Sequence, residues 1–178
     1  MKYLQTITDH TIFSNPEFKD HGEYTKRTTV KVIVRNEKGY VGLITNDIHK
    51  LYTLPGGGAE SEDLETEVNR ESIEEINCDL LNIQELVRVK ELRNRDAKEY
   101  ETVCFVADVN QYYTNDTRTE EEKKNNLRVE WISEDEVSNI FKKQISLLEN
   151  GEIAFYNTAF NIYRDNEFFK EYLKINKE

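Results

Sequence analysis

A chain of 178 residues that is 37% hydrophobic is long enough to bury one sizeable core and too short for two to be expected. Its net charge of −11 argues against stable, sequence-independent nucleic-acid binding, which rests on lysine and arginine neutralising phosphates. No apolar run approaches the roughly 20 residues that a bilayer-crossing helix needs, and Met1-Lys2-Tyr3-Leu4-Gln5 lacks a signal-peptide core. A cytoplasmic location with no membrane partner is expected.

In chain order, alternation predicts a strand over Thr28 to Arg35, a hairpin turn at Asn36-Glu37-Lys38-Gly39 and a returning strand over Tyr40 to Thr45. Lys50 to Leu54 reads as a short strand feeding the loop Pro55-Gly56-Gly57-Gly58. Asp63 is a candidate N-cap, Leu64 and Val68 start an apolar stripe, and neither proline nor glycine interrupts residues 64–76, so a helix is expected there. Leu80 to Leu92 and Glu99 to Val109 read as two long strands joined around Asn94 to Lys98, and residues 110–126 as a charged loop or insertion. Leu127 to Ile132 is a further strand. Ser133 and Glu136 form a capping box that opens a helix through about Lys143. After Asn150-Gly151, a final helix is predicted over residues 152–175, with Ile153, Tyr156, Phe160 and Tyr163 at helical spacing and Phe169, Tyr172 and Leu173 extending the apolar surface. That stripe reads as core packing or a homodimer contact, with base stacking as the alternative. Mixed strands with helices before and after fit α/β or α+β by pattern.

Cys78 and Cys104 are isolated on apolar segments and read as buried thiols rather than a disulfide. His10, His21 and His49 lack ligand spacing. Arg88, Lys90, Arg93 and Arg95 form a basic cluster on a strand-like segment, read as a solvated sheet face with phosphate steering as the alternative.

The chemistry concentrates between residues 54 and 78. On the predicted helix Glu75 lies about 40° to one side of Glu71 and Glu74 about 60° to the other, with Glu67 one turn earlier on the same face. Four negative charges on one ridge repel unless cations neutralise them, and hard oxygen donors suit Mg²⁺ or Mn²⁺. Arg70, beside the ridge, can orient a carboxylate bidentately. Gly56, Gly57 and Gly58 let the backbone approach a ligand closely, which makes Gly57 and Gly58 candidate substrate contacts.

This pattern resembles the Nudix box, with Gly56, Glu62, Arg70, Glu71, Glu74 and Glu75 at its fixed positions and Cys78 as its final apolar residue. Asn77 stands where the family has Gly, Ser72 where it usually has an aliphatic residue, and the glycine-rich loop is one residue shorter than the commonest form. Asn tolerates the left-handed conformation a helix C-terminus often needs. The resemblance covers residues 28–141 and implies a Nudix fold, a mixed sheet sandwiched between helices, within one domain over residues 1–178. It also implies hydrolysis of a nucleoside diphosphate linked to another group, by attack of water on phosphorus. Glu71, Glu74 and Glu75 would then be metal ligands with the Gly56 carbonyl as an additional one, and Arg70 and Glu62 orienting partners. A later acidic loop often assists in the family, and among Glu120, Glu121 and Glu122 the spacing to Trp131 favours Glu122. The proline and tyrosine that mark ADP-ribose and diadenosine polyphosphate subtypes are absent, as is the upstream signature of the coenzyme A group. A (deoxy)nucleoside triphosphate is left by elimination, with ADP-ribose or a nucleotide sugar, or a non-catalytic nucleotide-binding regulatory module, as the other readings.

Overall fold

The computed structural model describes residues 2–116 and 118–176, leaving the side chains of residues 121 and 122 outside that description. Six strands form one mixed sheet: β1 (Tyr3–Thr8), β2 (Thr25–Arg35), β3 (Val41–Thr45), β4 (Cys78–Arg93), β5 (Lys98–Tyr112) and β6 (Arg128–Ile132), in the order β1-β4-β5-β2-β3-β6. The β1/β4 and β2/β5 pairs are parallel, and the remaining neighbours antiparallel. The helices are α1 (Asp9–Ile12), α2 (Leu64–Ile76), α3 (Glu120–Lys124), α4 (Glu134–Glu149) and α5 (Tyr156–Ile175).

Successive side chains of a strand point to opposite faces, and here both faces are covered. Val30, Val32 and Val34 of β2, with Val103, Phe105 and Ala107 of β5, meet Val68 and Ile76 of α2. Ile33 and Cys104 face the other way, with Val87 and Val89, into a core filled by Val137 and Phe141 of α4 and Phe160, Phe168, Phe169 and Tyr172 of α5. The aromatic stripe of the last helix is therefore core, and both cysteines are buried and free. No helix among the described residues is long and apolar enough to cross a membrane.

The helix over residues 64–76 forms as the sequence predicts. The Asp63 side chain accepts from the Thr66 backbone N–H, and Asn77 closes the helix in the left-handed conformation at φ 54°. Buried Ser72 is satisfied by donating to the Val68 carbonyl at 2.9 Å. Other boundaries move. Pairing with β5 extends β2 back to Thr25, and core contacts carry α4 on to Glu149. The segment 110–126 holds the end of β5 and the short α3, while α5 starts only at Tyr156. Residues 1–27 supply the edge strand β1.

The expected strand Lys50 to Leu54 does not form. Only an isolated bridge from Thr53 to Ile44 is present, and side chains take the backbone groups of Tyr52 and Leu54. Gln144 of α4 bonds the N–H of Tyr52 at 2.6 Å and its carbonyl at 2.9 Å, and Asp165 of α5 accepts from the Leu54 N–H at 2.9 Å. A segment whose polar groups are satisfied this way needs no ladder partner.

Candidate active site

The site lies where β2 and β3 part. They share one register pair, Arg35 with Val41, so the N-terminal half of β2 has an edge unclaimed by β3. The glycine loop fills it. Val32 N–H donates to the Pro55 carbonyl at 3.0 Å, Val30 N–H to the Gly57 carbonyl at 2.9 Å, and Ala59 N–H to the Thr28 carbonyl at 3.1 Å. Gly56 has φ +126°, and a Cβ there would meet the Val30 carbonyl oxygen at 2.2 Å, so only glycine fits. Gly57 and Gly58 are open for a different reason. A Cβ on Gly57 would come within 2.6 Å of Glu71 Oε2, and one on Gly58 within 2.2 Å of Arg27 Nη2. A carboxylate and a guanidinium thus lie directly against the loop.

On the α2 side, Glu75 accepts from the Gly56 N–H at 2.6 Å. Arg70 donates to Glu71 at 2.8 Å, to Glu74 at 2.9 Å, to Glu67 at 2.9 Å and to the Gly58 carbonyl at 3.1 Å. One guanidinium therefore gathers three carboxylates and pins the loop to the helix. Glu62 is exposed, whereas Glu67 is buried against Arg70 and also accepts from the Glu60 N–H at 3.1 Å. These contacts hold the Glu67 carboxyl below its usual range, the Glu60 N–H contributing most. Burial pushes the Glu71 carboxyl above its ordinary value, opposed by Arg70 and Lys31. Glu74 stands at the rim, its side chain 49% exposed.

The other side of the loop is cationic. Lys31 donates to the Leu54 carbonyl at 2.9 Å and to the Gly56 carbonyl at 2.5 Å, and burial pushes its ammonium pKa down against the pull of Glu75 and Asp165. Beyond it is an open cleft of about 180 Å³ lined by Arg27, Lys31, Arg93, Tyr100, Asn161 and Arg164 with the three glycines. Arg93 lies over the Tyr100 ring, 4.6 Å from its centroid. The basic cluster expected on β4 is thereby divided. Arg88 pairs with Glu85 and Glu101, Lys90 with Glu99 and Arg95 with Asp96, whereas Arg93 turns inward to buried Glu91 at 3.0 Å.

Glu71, Glu75, Arg70, Gly56, Gly57 and Gly58 are thus brought together, with Glu74 joined through Arg70. The Glu122 side chain falls outside the described residues. Among those described, no three acidic, imidazole or thiol side chains converge as a cage for a metal. The reason is visible in the partners: Arg70 draws Glu71 and Glu74, the Gly56 amide draws Glu75, and Lys31 already bonds the Gly56 carbonyl. The donor set itself is all oxygen and acidic, which fits a hard divalent cation, and a carbonyl oxygen has a second lone pair free of Lys31.

Sequence reasoning missed Lys31, Gln144, Asn161, Arg164 and Asp165. Lys31 did carry a signal, a lone charge within the apolar run Val30 to Val34 of a strand buried on both faces. Asn161, Arg164 and Asp165 are polar residues within an otherwise aromatic helical stripe, visible as interruptions but not as site residues.

A family model described as NUDIX domain matches residues 25–150. No curated protein matches the chain. Among solved structures, a NUDIX hydrolase from Nitrosomonas europaea superposes with a TM-score of 0.55 at 15% identity, covering 72% of this chain and 90% of that one. The mutator MutT protein from Bacillus halodurans gives 0.52 at 18% identity, covering 69% and 80%. Likenesses at such identity speak for the fold, a mixed sheet between helices. The family match spans the strand that carries Lys31, the glycine loop and the Glu71–Glu75 helix, and on it the chain belongs to the Nudix family and is a Nudix-type hydrolase.

Proposed function

We propose that the chain is an Mg²⁺- or Mn²⁺-dependent pyrophosphohydrolase whose substrate is a (deoxy)nucleoside triphosphate, cleaved by attack of water on phosphorus. The observation that carries this reading is the division of charge across one glycine loop. Glu71 and Glu75 lie against one side of it and Arg27 and Lys31 against the other. A chain of net charge −11 meets a polyanionic substrate where cations, bound and built-in, reverse the local potential.

Glu71, Glu74, Glu75 and the Gly56 carbonyl would hold the ion, with Glu122 as a further ligand or base. When bound, it supplies charge neutralisation at phosphate oxygens and acidifies water. The chain's own groups do the rest. Arg70 orients the carboxylates of Glu67, Glu71 and Glu74. Arg27 and the exposed faces of Gly57 and Gly58 seat the phosphates, and Lys31 keeps the loop rigid by tying two of its carbonyls to β2. Residues 1–178 act in this reading as one cytoplasmic domain, since β1 completes the sheet and α5 fills the same core as α4.

A panel of nucleoside triphosphates, deoxynucleoside triphosphates, ADP-ribose and a nucleotide sugar, each with Mg²⁺ or Mn²⁺, tests it. The expected products are pyrophosphate and a nucleoside monophosphate from a triphosphate. Turnover of ADP-ribose or the sugar nucleotide alone would move the substrate, and binding without turnover of any compound would make the chain a regulatory module.

A further inference from the structure

Away from the glycine loop, a carboxylate is buried without a counter-charge. Asp9, the first residue of α1, is 0% exposed. Its Oδ1 accepts from the Asn94 N–H at 3.1 Å and from the Tyr156 hydroxyl at 2.6 Å, both neutral donors. Its Oδ2 has no partner among the described residues, and no described lysine, arginine or histidine forms an ion pair with it. A carboxylate withdrawn from water is costly unless a cation or a full set of donors replaces the lost hydration.

Asp9 lines a cavity of about 380 Å³ bounded by residues 13–18 and the start of α5, a volume suited to a small molecule. Much of the remaining wall is aromatic. Phe13 stacks on Tyr156 with ring centroids 5.7 Å apart, Phe18 meets Tyr156 edge-on at 5.5 Å, and Phe155 leaves 55% of its surface in solvent. The basic residue of the wall is already committed. Arg95 donates to both carboxylate oxygens of Asp96, each at 3.0 Å, and its guanidinium lies 4.8 Å from the centre of the Tyr156 ring. Glu17, also in the wall, has no ion pair among the described residues. The cavity therefore holds two acids that lack a cation and one base that has its anion.

This combination selects among ligands. An anion would meet two carboxylates, a neutral apolar molecule would leave Oδ2 unpartnered, and water could donate a hydrogen bond there but would bring no charge. A cation with N–H donors satisfies both needs, and the negative faces of aromatic rings favour it as well. We propose that this cavity is a binding site for a primary alkylammonium ion, which gives Asp9 a donor and a counter-charge while its alkyl chain lies against Phe13, Phe18 and Phe155. A free alkylamine and a lysine side chain present the same group.

Backbone amide NMR of the full chain, without nucleotide or divalent cation, tests the proposal with three probes. These are n-pentylammonium chloride, n-pentanol as a neutral molecule of the same chain length, and Nα-acetyl-lysine amide as the side chain carried on a peptide unit. The Asn94 amide, bonded to Asp9 Oδ1, is the reporter. Pentylammonium should shift it saturably, with a dissociation constant at least about tenfold below that of pentanol, the scale of a hydrogen bond to a charged group. Asp9→Asn keeps an oxygen for Asn94 and Tyr156 but removes the charge, so it should weaken pentylammonium at least about tenfold and leave pentanol unchanged. Saturation by acetyl-lysine amide too would extend the site to peptide-borne amines, and its failure would restrict the site to free ones, the proposal standing in either case. Equal affinity for pentylammonium and pentanol, no saturable shift with pentylammonium, or undiminished binding in a folded Asp9→Asn would overturn it. The comparison of ammonium with alcohol on the wild type stands whether or not the variant folds. Hydrolysis is not read at any step, so the outcome is independent of the nucleotide reading.

Discussion

Two clusters of opposed charges lie within one loop's width of each other and are built on different terms. On α2, Arg70 is shared among Glu67, Glu71 and Glu74, and Glu74 is half exposed. Behind the cleft, Glu91, Arg93, Arg164 and Asp165 are each 5% exposed or less and are matched two against two. The first cluster carries more acid than base and opens to solvent, so it gains from an incoming cation. The second is balanced and largely buried, its charges already matched within the protein although Arg93 and Arg164 also border the cleft. Burial and stoichiometry, rather than residue type, separate groups that exchange partners from groups that hold a scaffold.

The buried cluster should show the largest response to substitution. Glu91→Gln leaves Arg93 without its carboxylate in the interior while Arg164 keeps Asp165, and the expected loss is about 3–5 kcal/mol of unfolding free energy in urea titrations. A loss below about 1 kcal/mol would mean that solvent reaches this network and the contrast fails.

The open cluster should respond in rate rather than stability. Glu71→Gln and Glu75→Gln should each lower kcat at least about a hundredfold at saturating Mg²⁺ while circular dichroism stays native. Near-wild-type turnover in either variant removes that residue from the site.

Excess acid predicts the response to metal. Millimolar Mg²⁺ should stabilise the wild type, by about 2.7 kcal/mol when the ion is at a hundredfold excess over its dissociation constant, and raise Tm accordingly. A Glu71→Gln/Glu75→Gln double variant should lose most of that rise. Equal shifts in both proteins would place the ions elsewhere.

A smaller effect concerns pH. Burial raises the Glu71 carboxyl above its ordinary 4.5, so the folded chain holds this proton more tightly than the unfolded one. With divalent ions chelated, its contribution to stability is then most favourable below that value and is lost as pH rises through the folded pKa. Glu71→Gln should flatten the fall in Tm over that window. A wild-type and variant pair with parallel pH profiles would show that Arg70 already compensates the burial.

The smallest change is expected at Glu120, whose side chain is 94% exposed and pairs with Lys123. Glu120→Gln should leave kcat/KM within about twofold, as isolated surface charges do. Glu122→Gln, on the same short helix, should lower it well beyond that. Matching, minor effects at both positions would take α3 out of the reaction.

How much of this could be read from the chain follows the range of the forces involved. Helix α2 was legible to the residue because its determinants are local: an Asp63 cap, an unbroken run of helix formers, and Asn77 free to adopt a positive φ. The order of acids along it, and the glycines before it, were legible for the same reason. The strand at Lys50 to Leu54 was misread because local alternation does not reveal that Gln144 and Asp165, distant in sequence, bond the backbone instead. The cationic half of the site was legible only in part, Arg93 within the basic cluster of β4, since its meeting with Arg27 and Arg164 depends on the sheet order β4-β5-β2 and the packing of α5. The sequence by itself therefore determined the acidic helix and the glycine loop, where spacing of a few residues sets geometry. Tertiary structure alone decided which charges were paired, buried or left facing the cleft, because those properties depend on neighbours that long-range packing supplies.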